Sequence, residues 1–234
     1  MMEEQRILLK LSGEALAGDK KTGFDEATVL SVADQVKQAL DSGKEIAIVI
    51  GGGNFWRGRT SEHMDRVRAD QIGILATIMN CVYVAEMFRT KGIPTMIMTP
   101  FECGNITRLF RKEEAVEALA KGTVVFFAGG TGHPYFSTDM ATVLMAIEIE
   151  ADMIYAGKAI DGVYDSDPKV NPAAKKYDTM EMQDIVDQKL GVIDLSAAVL
   201  ASENHMPMKL FGLQGDNKIV EAMTGTFTGT LIRA

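Results

Sequence analysis

The chain has 234 residues, of which 47% are hydrophobic and 24% charged, and its formal net charge is −8. This length and apolar content are enough to bury a sizeable core within one domain. The acidic balance argues against general nucleic-acid binding, which depends on basic surfaces, but leaves room for a nucleotide held by a few local basic side chains.

Cysteine usage and hydropathy also restrict the class of protein. Cys81 and Cys103 have no CxxC or Cys/His spacing, so a zinc site is not predicted. Two cysteines in a chain of this length are typical of a reducing compartment. The first ten residues do not resemble a secretory signal, and no uninterrupted apolar run reaches the roughly 18–20 residues of a membrane span. We therefore expect a cytoplasmic protein without a membrane segment.

Apolar runs typical of buried strands alternate with apolar residues at helical spacing. Strands are predicted at residues 6–11, 46–50, 93–98, 123–127, 153–156, 208–211 and 230–233. Helices are predicted at residues 25–42, 65–91, 112–120, 139–150, 181–190, 195–204 and 218–223. In the first helix, Val29, Val32 and Val36 share one face, Asp25 is a capping residue and Gly43 is a stop. Residues 158–174 are rich in Gly, Pro and Asn and predict a loop.

This alternation predicts an α/β protein with a mostly parallel sheet and helices on both faces. The sequence contains no Pro/Ser-rich linker, internal repeat or low-complexity tract. We therefore expect residues 1–234 to form a single domain with two lobes, at about residues 1–150 and 151–234.

Three glycine-rich segments each follow a predicted strand. They are Ser12-Gly13, residues 51–54 and residues 129–132. Glycine lets backbone N–H groups approach anionic oxygens, and a following helix N-terminus adds a favourable dipole. Any one segment is equally well explained as glycine ending a strand. Because ligands bind at the carboxyl ends of parallel strands, the three together favour an anion site there.

Four charged residues near these glycines are candidates for chemistry. Lys10 lies in an apolar strand and needs a partner, which either a polyphosphate or Asp139 would supply. Arg57 follows the second glycine segment, where its guanidinium would meet phosphate oxygens. Asp139 begins a predicted helix and is alternatively a capping acid. Asp70 opens an apolar helical stretch and is alternatively a surface residue.

Known nucleotide-binding motifs are missing from these segments. The sequence contains no GxxxxGK[ST] and no HRD or DFG set, which excludes a P-loop enzyme and a protein kinase. Residues 51–56 and 129–132 do not have the GxGxxG spacing, which disfavours a Rossmann dehydrogenase.

Six motifs, in this order, closely resemble those of the bacterial uridylate (UMP) kinases, a family of the amino-acid-kinase superfamily. They are KLSGEAL at residues 10–16, GGGNFWRG at 51–58, GILATIMN at 73–80, TGHPYFSTD at 131–139, EIEAD at 148–152 and DGVY at 161–164. The resemblance extends over nearly the whole chain, to GTLI at residues 229–232. The chain departs from the family at His133, where Asn is usual, at residues 157–160 and 18–23, and at residues 98–110.

The resemblance implies a three-layer αβα sandwich that transfers a phosphoryl group from ATP to UMP with Mg²⁺. It also implies a homohexamer in which GTP activates and UTP inhibits. Residues 1–150 would mainly bind the acceptor and residues 151–234 mainly ATP.

Residue-wise matching to the family implies four sets of site residues. The ATP set is Lys10, Leu11, Ser12, Gly13, Gly53, Arg57, Lys158, Tyr164 and Asp167. The UMP set is Gly52, Asp70, Thr131, Gly132, His133, Pro134, Tyr135, Phe136, Ser137 and Thr138. The segment linked to GTP is Gly18, Asp19, Lys20, Lys21, Thr22 and Gly23. The catalytic set is Lys10, Arg57 and Asp139, and no residue is assigned as a metal ligand. From the charges of the two residues, we hypothesise that Asp139 orients Lys10.

Phosphoryl transfer to a phosphate needs positioning and charge stabilisation rather than a general base, because the acceptor is already mostly dianionic at neutral pH. Two rival functions remain open. One is a related kinase acting on a carboxylate or carbamate, which would share the ATP side but differ at Asp70 and residues 73–80 and 131–139. The other is a nucleotide-sensing regulatory protein without turnover, which would not need Lys10, Arg57 and Asp139.

Overall fold

A nine-stranded sheet forms the centre of the protein, and a separate ribbon of two strands, β7 (Val163–Tyr164) and β8 (Lys176–Tyr177), lies outside it. The computed structural model describes residues 4–56, 63–168, 170–213, 215, 217–225 and 227–234. The strands are β1 (Arg6–Leu11), β2 (Glu45–Ile50), β3 (Thr95–Thr99), β4 (Arg108–Leu109), β5 (Val124–Phe127), β6 (Met153–Lys158), β7 (Val163–Tyr164), β8 (Lys176–Tyr177), β9 (Thr179–Glu181), β10 (Met208–Gly212) and β11 (Thr230–Arg233). The helices are α1 (Gly13–Leu16), α2 (Glu26–Asp41), α3 (Arg66–Thr90), α4 (Lys112–Ala120), α5 (Thr138–Glu148), α6 (Met182–Gln188), α7 (Leu195–Glu203) and α8 (Lys218–Thr224).

The sheet has the order β4-β3-β5-β2-β1-β6-β10-β11-β9. Its strands run parallel except where β10 meets β11. This confirms the predicted mostly parallel sheet. β1 is central, because Ile7 pairs with Ile46 of β2 on one side and with Met153 of β6 on the other.

Alternating side chains of the sheet belong to two separate cores. Ile7 and Leu9 pack with α2, α3 and α8, whereas Leu8 packs with α4, α5, α6 and α7. Since side chains alternate along a strand, Lys10 shares the face of Leu8 and points towards α5. The helices thus form the two outer layers of an α/β sandwich.

α3 is long and apolar enough to cross a membrane by length and composition alone. Its contacts make it a core helix instead. Cys81, Val84 and Phe88 are fully buried, and the Phe88 ring packs edge-to-face on Phe126 of β5 with ring centroids 5.4 Å apart. The helix also carries buried polar side chains towards the sheet, including Asn80.

The predicted helices and strands are all present, close to their expected bounds. The additional elements are short: α1, a 3₁₀ turn at Gly18–Lys20, β4, β9 and the two-stranded ribbon of β7 and β8, which begins inside the predicted loop at residues 158–174. Strands of two or three residues show too little alternation to be recognised in a sequence. Gly162 allows the ribbon to close, since a Cβ there would lie 2.5 Å from Cδ of Lys176.

Candidate active site

Two cavities lie beside the carboxyl ends of the central strands. The first, which we call the glycine-loop cavity, has a volume of about 380 Å³ and lies among the three glycine segments. It is lined by Lys10, Ser12, Gly13, Glu14, Gly51, Gly52, Gly53, Trp56, Arg66, Asp70, Gly73, Ile74, Thr77, Gly130, Thr131, His133, Phe136, Ser137, Thr138, Asp139 and Asp194. The second, which we call the wide cavity, has a volume of about 970 Å³ and lies beside β6, β10 and α8.

Asp139 pairs with two lysines that come from neighbouring strands. Its Oδ1 lies 3.1 Å from Nζ of Lys10 on β1, and its Oδ2 lies 3.6 Å from Nζ of Lys158 at the end of β6. The three side chains are only 12–19% exposed. The side chain of Ser137 accepts a hydrogen bond from the backbone N–H of Met140, which caps α5 and fixes the turn that presents Asp139. Asp139 is therefore the partner of Lys10 in this structure.

The lysines keep the Asp139 carboxylate ionised. Burial alone would raise the pKa of Asp139, but Lys10 and Lys158 lower it below its ordinary value of 3.8. A backbone hydrogen bond from Asp194 acts in the same direction. Burial lowers the pKa of Lys158, which Asp139 opposes and the like charge of Lys10 reinforces. The cluster thus concentrates positive charge around one carboxylate, an arrangement suited to a strongly anionic ligand.

Lys158 also connects the two cavities. It lines the wide cavity, and its ammonium group donates a hydrogen bond to the carbonyl of Val192. Lys10 and Asp139 line the glycine-loop cavity. The ion-pair cluster therefore has a cation on each side.

The loops after β1 and β2 are in direct contact. The N–H of Gly51 donates to the carbonyl of Leu11 at 3.0 Å. A Cβ at Gly13 would lie 2.3 Å from the carbonyl oxygen of Gly51 and 2.4 Å from Oδ1 of Asn54. Only glycine fits at residue 13, so the backbones of the two loops pack directly against each other.

Asp70 joins α3 to the loop after β5. Its Oδ2 accepts hydrogen bonds from Nε of Arg66 and from the backbone N–H of Tyr135, each at 2.8 Å. The Arg66 guanidinium lies over the Tyr135 ring, 5.2 Å from its centroid. Tyr135 has a φ of 71°, a strained conformation for a bulky residue and one that is found at functional sites.

The wide cavity contains the candidates from the second half of the chain. Lys158, Tyr164 and Asp167 line it together. The Tyr164 hydroxyl donates to Oδ1 of Asp161 at 2.7 Å, and this hydrogen bond raises the pKa of Tyr164. Apolar walls come from Ile160, Leu190, Val192, Phe211, Ala222 and Phe227. A largely apolar cleft with a few polar groups is typical of a nucleotide or cofactor site.

The structure brings most of the predicted site residues together. Leu11, Gly132, Pro134 and Tyr135 line neither cavity, and the Leu11 side chain is fully buried. Arg57 lies outside the described residues. Residues 18–23 also line neither cavity, although Thr22 and Gly23 hydrogen-bond to the carbonyl of Asn54 behind the second glycine loop.

Several residues of the glycine-loop cavity are not among the predicted ones: Glu14, Trp56, Arg66, Thr77 and Asp194. Arg66 was detectable, because it stands four residues before Asp70 on a predicted helix and such residues face each other. Asp194 is the N-cap of α7 and reaches the site only through the packing of α7 on α5, which no local pattern reveals.

The carboxylates fit a magnesium ion that arrives with a nucleotide. No group of three or more His, Cys, Asp or Glu side chains that could hold a metal occurs in the described part of the chain. Mg²⁺ needs fewer protein ligands, because it usually keeps waters and binds one or two carboxylates together with substrate phosphates. Glu14 and Asp194 bring carboxylates to the same cavity as the glycine loops.

An α/β sandwich whose glycine loops face a lysine-paired carboxylate defines a class of enzymes that handle phosphate groups. Comparison with known proteins makes the assignment specific. The chain belongs to the amino acid kinase family, whose model matches residues 5–212.

Relatives and solved structures of the same length support the assignment. The chain is 43% identical to a uridylate kinase of Pediococcus pentosaceus, covering 98% of this chain and 96% of the relative. It is 44% identical to a uridylate kinase of Limosilactobacillus reuteri, covering 97% of this chain and 96% of the relative. The structure matches a UMP kinase from Bacillus anthracis with a TM-score of 0.93 and 36% identity, covering 98% of this chain and 96% of that one. A UMP kinase from Ureaplasma parvum matches over the full length of both chains with a TM-score of 0.92 and 32% identity.

Proposed function

We propose that this protein is a nucleoside monophosphate kinase that transfers the γ-phosphoryl group of ATP to UMP, giving ADP and UDP, in pyrimidine nucleotide biosynthesis. The observation that carries the proposal is the Lys10–Asp139–Lys158 cluster, which has one lysine at each of two cavities. A transferase for two nucleotides needs two adjoining sites with cations between them. The relatives' names agree with this function and do not favour a carboxylate or carbamate acceptor.

In this proposal the glycine-loop cavity takes UMP and the ATP phosphates, and the wide cavity takes the base and ribose of ATP. Asp70 would receive the UMP ribose, while Gly52 and residues 131–138 would hold the rest of UMP. Ser12, Gly13, Gly53 and Arg57 would contact the ATP phosphates. The first lobe, residues 1–150, would thus bind mainly the acceptor and residues 151–234 mainly ATP.

The chemical step is an in-line displacement between two polyanions. A phosphate oxygen of UMP attacks the γ-phosphorus of ATP, and the bond from that phosphorus to the β–γ bridging oxygen breaks, so that ADP leaves with the electron pair. Lys10 and Lys158 would stabilise the charge on the transferred group and the leaving group. Asp139 would hold both ammonium groups in place and take no proton. The chain needs no general base, because the attacking phosphate is already ionised.

Magnesium would neutralise charge on the ATP phosphates when it is bound with the nucleotide. Glu14 and Asp194, which line the glycine-loop cavity, would hold it together with phosphate oxygens and waters.

Assembly and regulation extend the proposal. Residues Ile72, Leu75, Met79 and Val82 are 36–56% exposed and form an apolar stripe along α3. Such a stripe supports self-association, because a second copy of the chain would cover it. We propose that the assembly is a homohexamer. We further propose GTP activation through residues 18–23, UTP inhibition and a cytoplasmic location, with no role in binding nucleic acid.

The test is an ADP-release assay with MgATP that compares UMP with CMP, dUMP, carbamate, acetylglutamate and aspartate. A strong preference for UMP is the expected result. Turnover with only a carboxylate or carbamate would overturn the acceptor assignment while keeping the family. ATP binding without turnover of any acceptor would favour a nucleotide-sensing protein.

A further inference from the structure

The inner face of α3 lies directly beneath two of the glycine loops. A Cβ at Gly52 would lie 3.0 Å from both Cβ of Ala76 and the carbonyl oxygen of Gly73. Thr77 and Asn80 continue the same face at helical spacing and are 6% and 0% exposed. Small and buried polar residues, rather than apolar ones, therefore separate this part of α3 from the loops.

Asn80 and Asn54 form a closed pair of amides. Nδ2 of Asn54 donates to Oδ1 of Asn80 at 3.0 Å, and Nδ2 of Asn80 donates to Oδ1 of Asn54 at 2.8 Å. The second hydrogen of each amide goes to the backbone, from Asn80 to Gly51 O at 2.7 Å and from Asn54 to Gly23 O at 2.9 Å. All four amide hydrogens are satisfied, which fixes the orientation of both side chains.

Three backbone segments converge on this amide pair. Gly51 belongs to the loop after β2, and Gly23 belongs to the segment before α2. Gly13, in the loop after β1, is so close that a Cβ there would lie 3.1 Å from Nδ2 of Asn80. The pair therefore holds the loop after β2 by hydrogen bonds and packs directly against the loop after β1.

Thr77 acts on the third glycine loop. Its Oγ1 accepts a hydrogen bond from the buried N–H of Gly129 at 2.9 Å and donates to the carbonyl of Ile74 at 2.7 Å. Gly129 begins the loop that leads to α5 and Asp139. One turn of α3 thus contacts both sides of the glycine-loop cavity.

We propose that Asn80 and Thr77 are positioning residues for phosphoryl transfer. Asn80 positions the loops after β1 and β2, which hold the ATP phosphates and part of the acceptor. Thr77 positions only the loop after β5, which holds the acceptor. The proposal rests on the function proposed above and assigns it two further residues. Neither side chain needs to react. A shift of about 1 Å in the position of reacting groups costs about 100-fold in rate, so a loop displaced by that distance would lose most activity while the fold persists.

The experiment compares Asn80→Ser, Asn80→Asp and Thr77→Val with Val84→Ala. Val84 is fully buried in the hydrophobic core one turn further along α3, so its truncation reports a packing loss. Each variant is assayed for kcat and for the KM of ATP and of UMP, with thermal unfolding measured in parallel.

We expect Asn80→Ser to lower kcat by about 30- to 100-fold and to raise both KM values. Thr77→Val, which keeps the shape but removes the acceptor for the Gly129 N–H, should raise the KM of UMP by about 5- to 20-fold and leave that of ATP unchanged. Val84→Ala should lower the unfolding temperature with kcat within about twofold of the original protein, as core losses away from a site do.

Asn80→Asp supplies a readout that a merely structural residue would not give. A buried carboxyl has a raised pKa, and its protonated form is the same shape as the amide and donates one hydrogen bond. The kcat of this variant, relative to the unsubstituted protein, should therefore rise as pH falls from about 8 to about 6.

The proposal is overturned if the Asn80 and Thr77 variants lose stability like Val84→Ala but keep kcat and both KM values. It is also overturned if Thr77→Val changes the two KM values equally. If Asn80→Ser does not fold, Asn80→Asp at low pH and Thr77→Val still decide the matter. Failure of the proposed function would look different, because the unsubstituted protein would then not phosphorylate UMP.

Discussion

The two cavities are built in different ways. Six glycines line the glycine-loop cavity, whose loops are held between buried β1, β2 and β5 and the buried face of α3. The wide cavity has more than twice the volume and is walled by side chains of residues 158–168, 190–192 and α8, several of them exposed. A site fixed by backbone tolerates little change, whereas a site walled by side chains can vary. Substitutions in the first cavity should therefore cost more than those in the second.

The largest loss should follow from Lys10→Ala. This change removes the buried ammonium group that faces the glycine loops, and the loss of one such preorganised donor costs about 100- to 1,000-fold in kcat. Steady-state ADP release measures the effect, and thermal unfolding provides the control for folding. A kcat within a few-fold of the original would remove Lys10 from the transfer step.

Asp139→Asn should come next, with kcat lowered by about 10- to 100-fold, because Lys10 and Lys158 lose the carboxylate that holds them both.

The unfolding free energy of Asp139→Asn should also fall by about 2 kcal/mol at neutral pH, less than for a fully buried pair because the site is partly exposed. The folded-state pKa of Asp139 is depressed, so its contribution to stability is present above the ordinary value of 3.8 and is lost as pH falls through the folded pKa. The difference in unfolding free energy between the variant and the original protein should therefore shrink below about pH 4. Unfolding measured from pH 7 to pH 3 tests this, and a difference in unfolding free energy that stays equal over that range would contradict it.

Asp70→Asn should separate the two substrates. The amide keeps the shape but weakens the charge-assisted hydrogen bonds to Arg66 and to the Tyr135 N–H, and it would weaken one to a sugar hydroxyl in the same way. We expect the KM of UMP to rise by about 10-fold while the KM of ATP is unchanged. A matched rise in both values would place Asp70 outside the acceptor site.

The smallest effect should come from the wide cavity. Tyr164→Phe removes an exposed hydrogen bond to Asp161 and keeps the ring, so the KM of ATP should rise by no more than about threefold and kcat should stay the same. A loss comparable to that of Asp70→Asn would show that the two cavities do not differ as the structure indicates.

The fold was largely predictable because its main elements are long and follow simple patterns. Residues 46–50 form an uninterrupted apolar run, and β2 is buried from Ile46 to Ile50. Asp25 stands before an amphipathic stretch, and its side chain does cap α2 by accepting from the N–H of Thr28. The two-residue strands β4, β7 and β8 were not predictable, because they depend on partners that are distant in the sequence.

The site was predictable where strand ends and charge place residues together, as for Lys10 and its predicted partner Asp139. The glycine segments and Lys10 follow from strand ends, and their convergence follows from a parallel sheet. The contact of Lys158 with Asp139 depends on the adjacency of β1 and β6, and the contact of Asn80 with Asn54 depends on the rotation of α3 about its axis. Local sequence carries neither relationship.

The central position of β1 also determines the order in which the sheet can assemble during synthesis. β1 pairs with β2, which lies close to it in the sequence, but its other edge stays open until Met153 and the rest of β6 have been made. The apolar edge of β1 is therefore unprotected for most of translation, and such unpaired edges favour aggregation. The pairing of β6 with β1 is therefore a long-range step, and such steps slow folding.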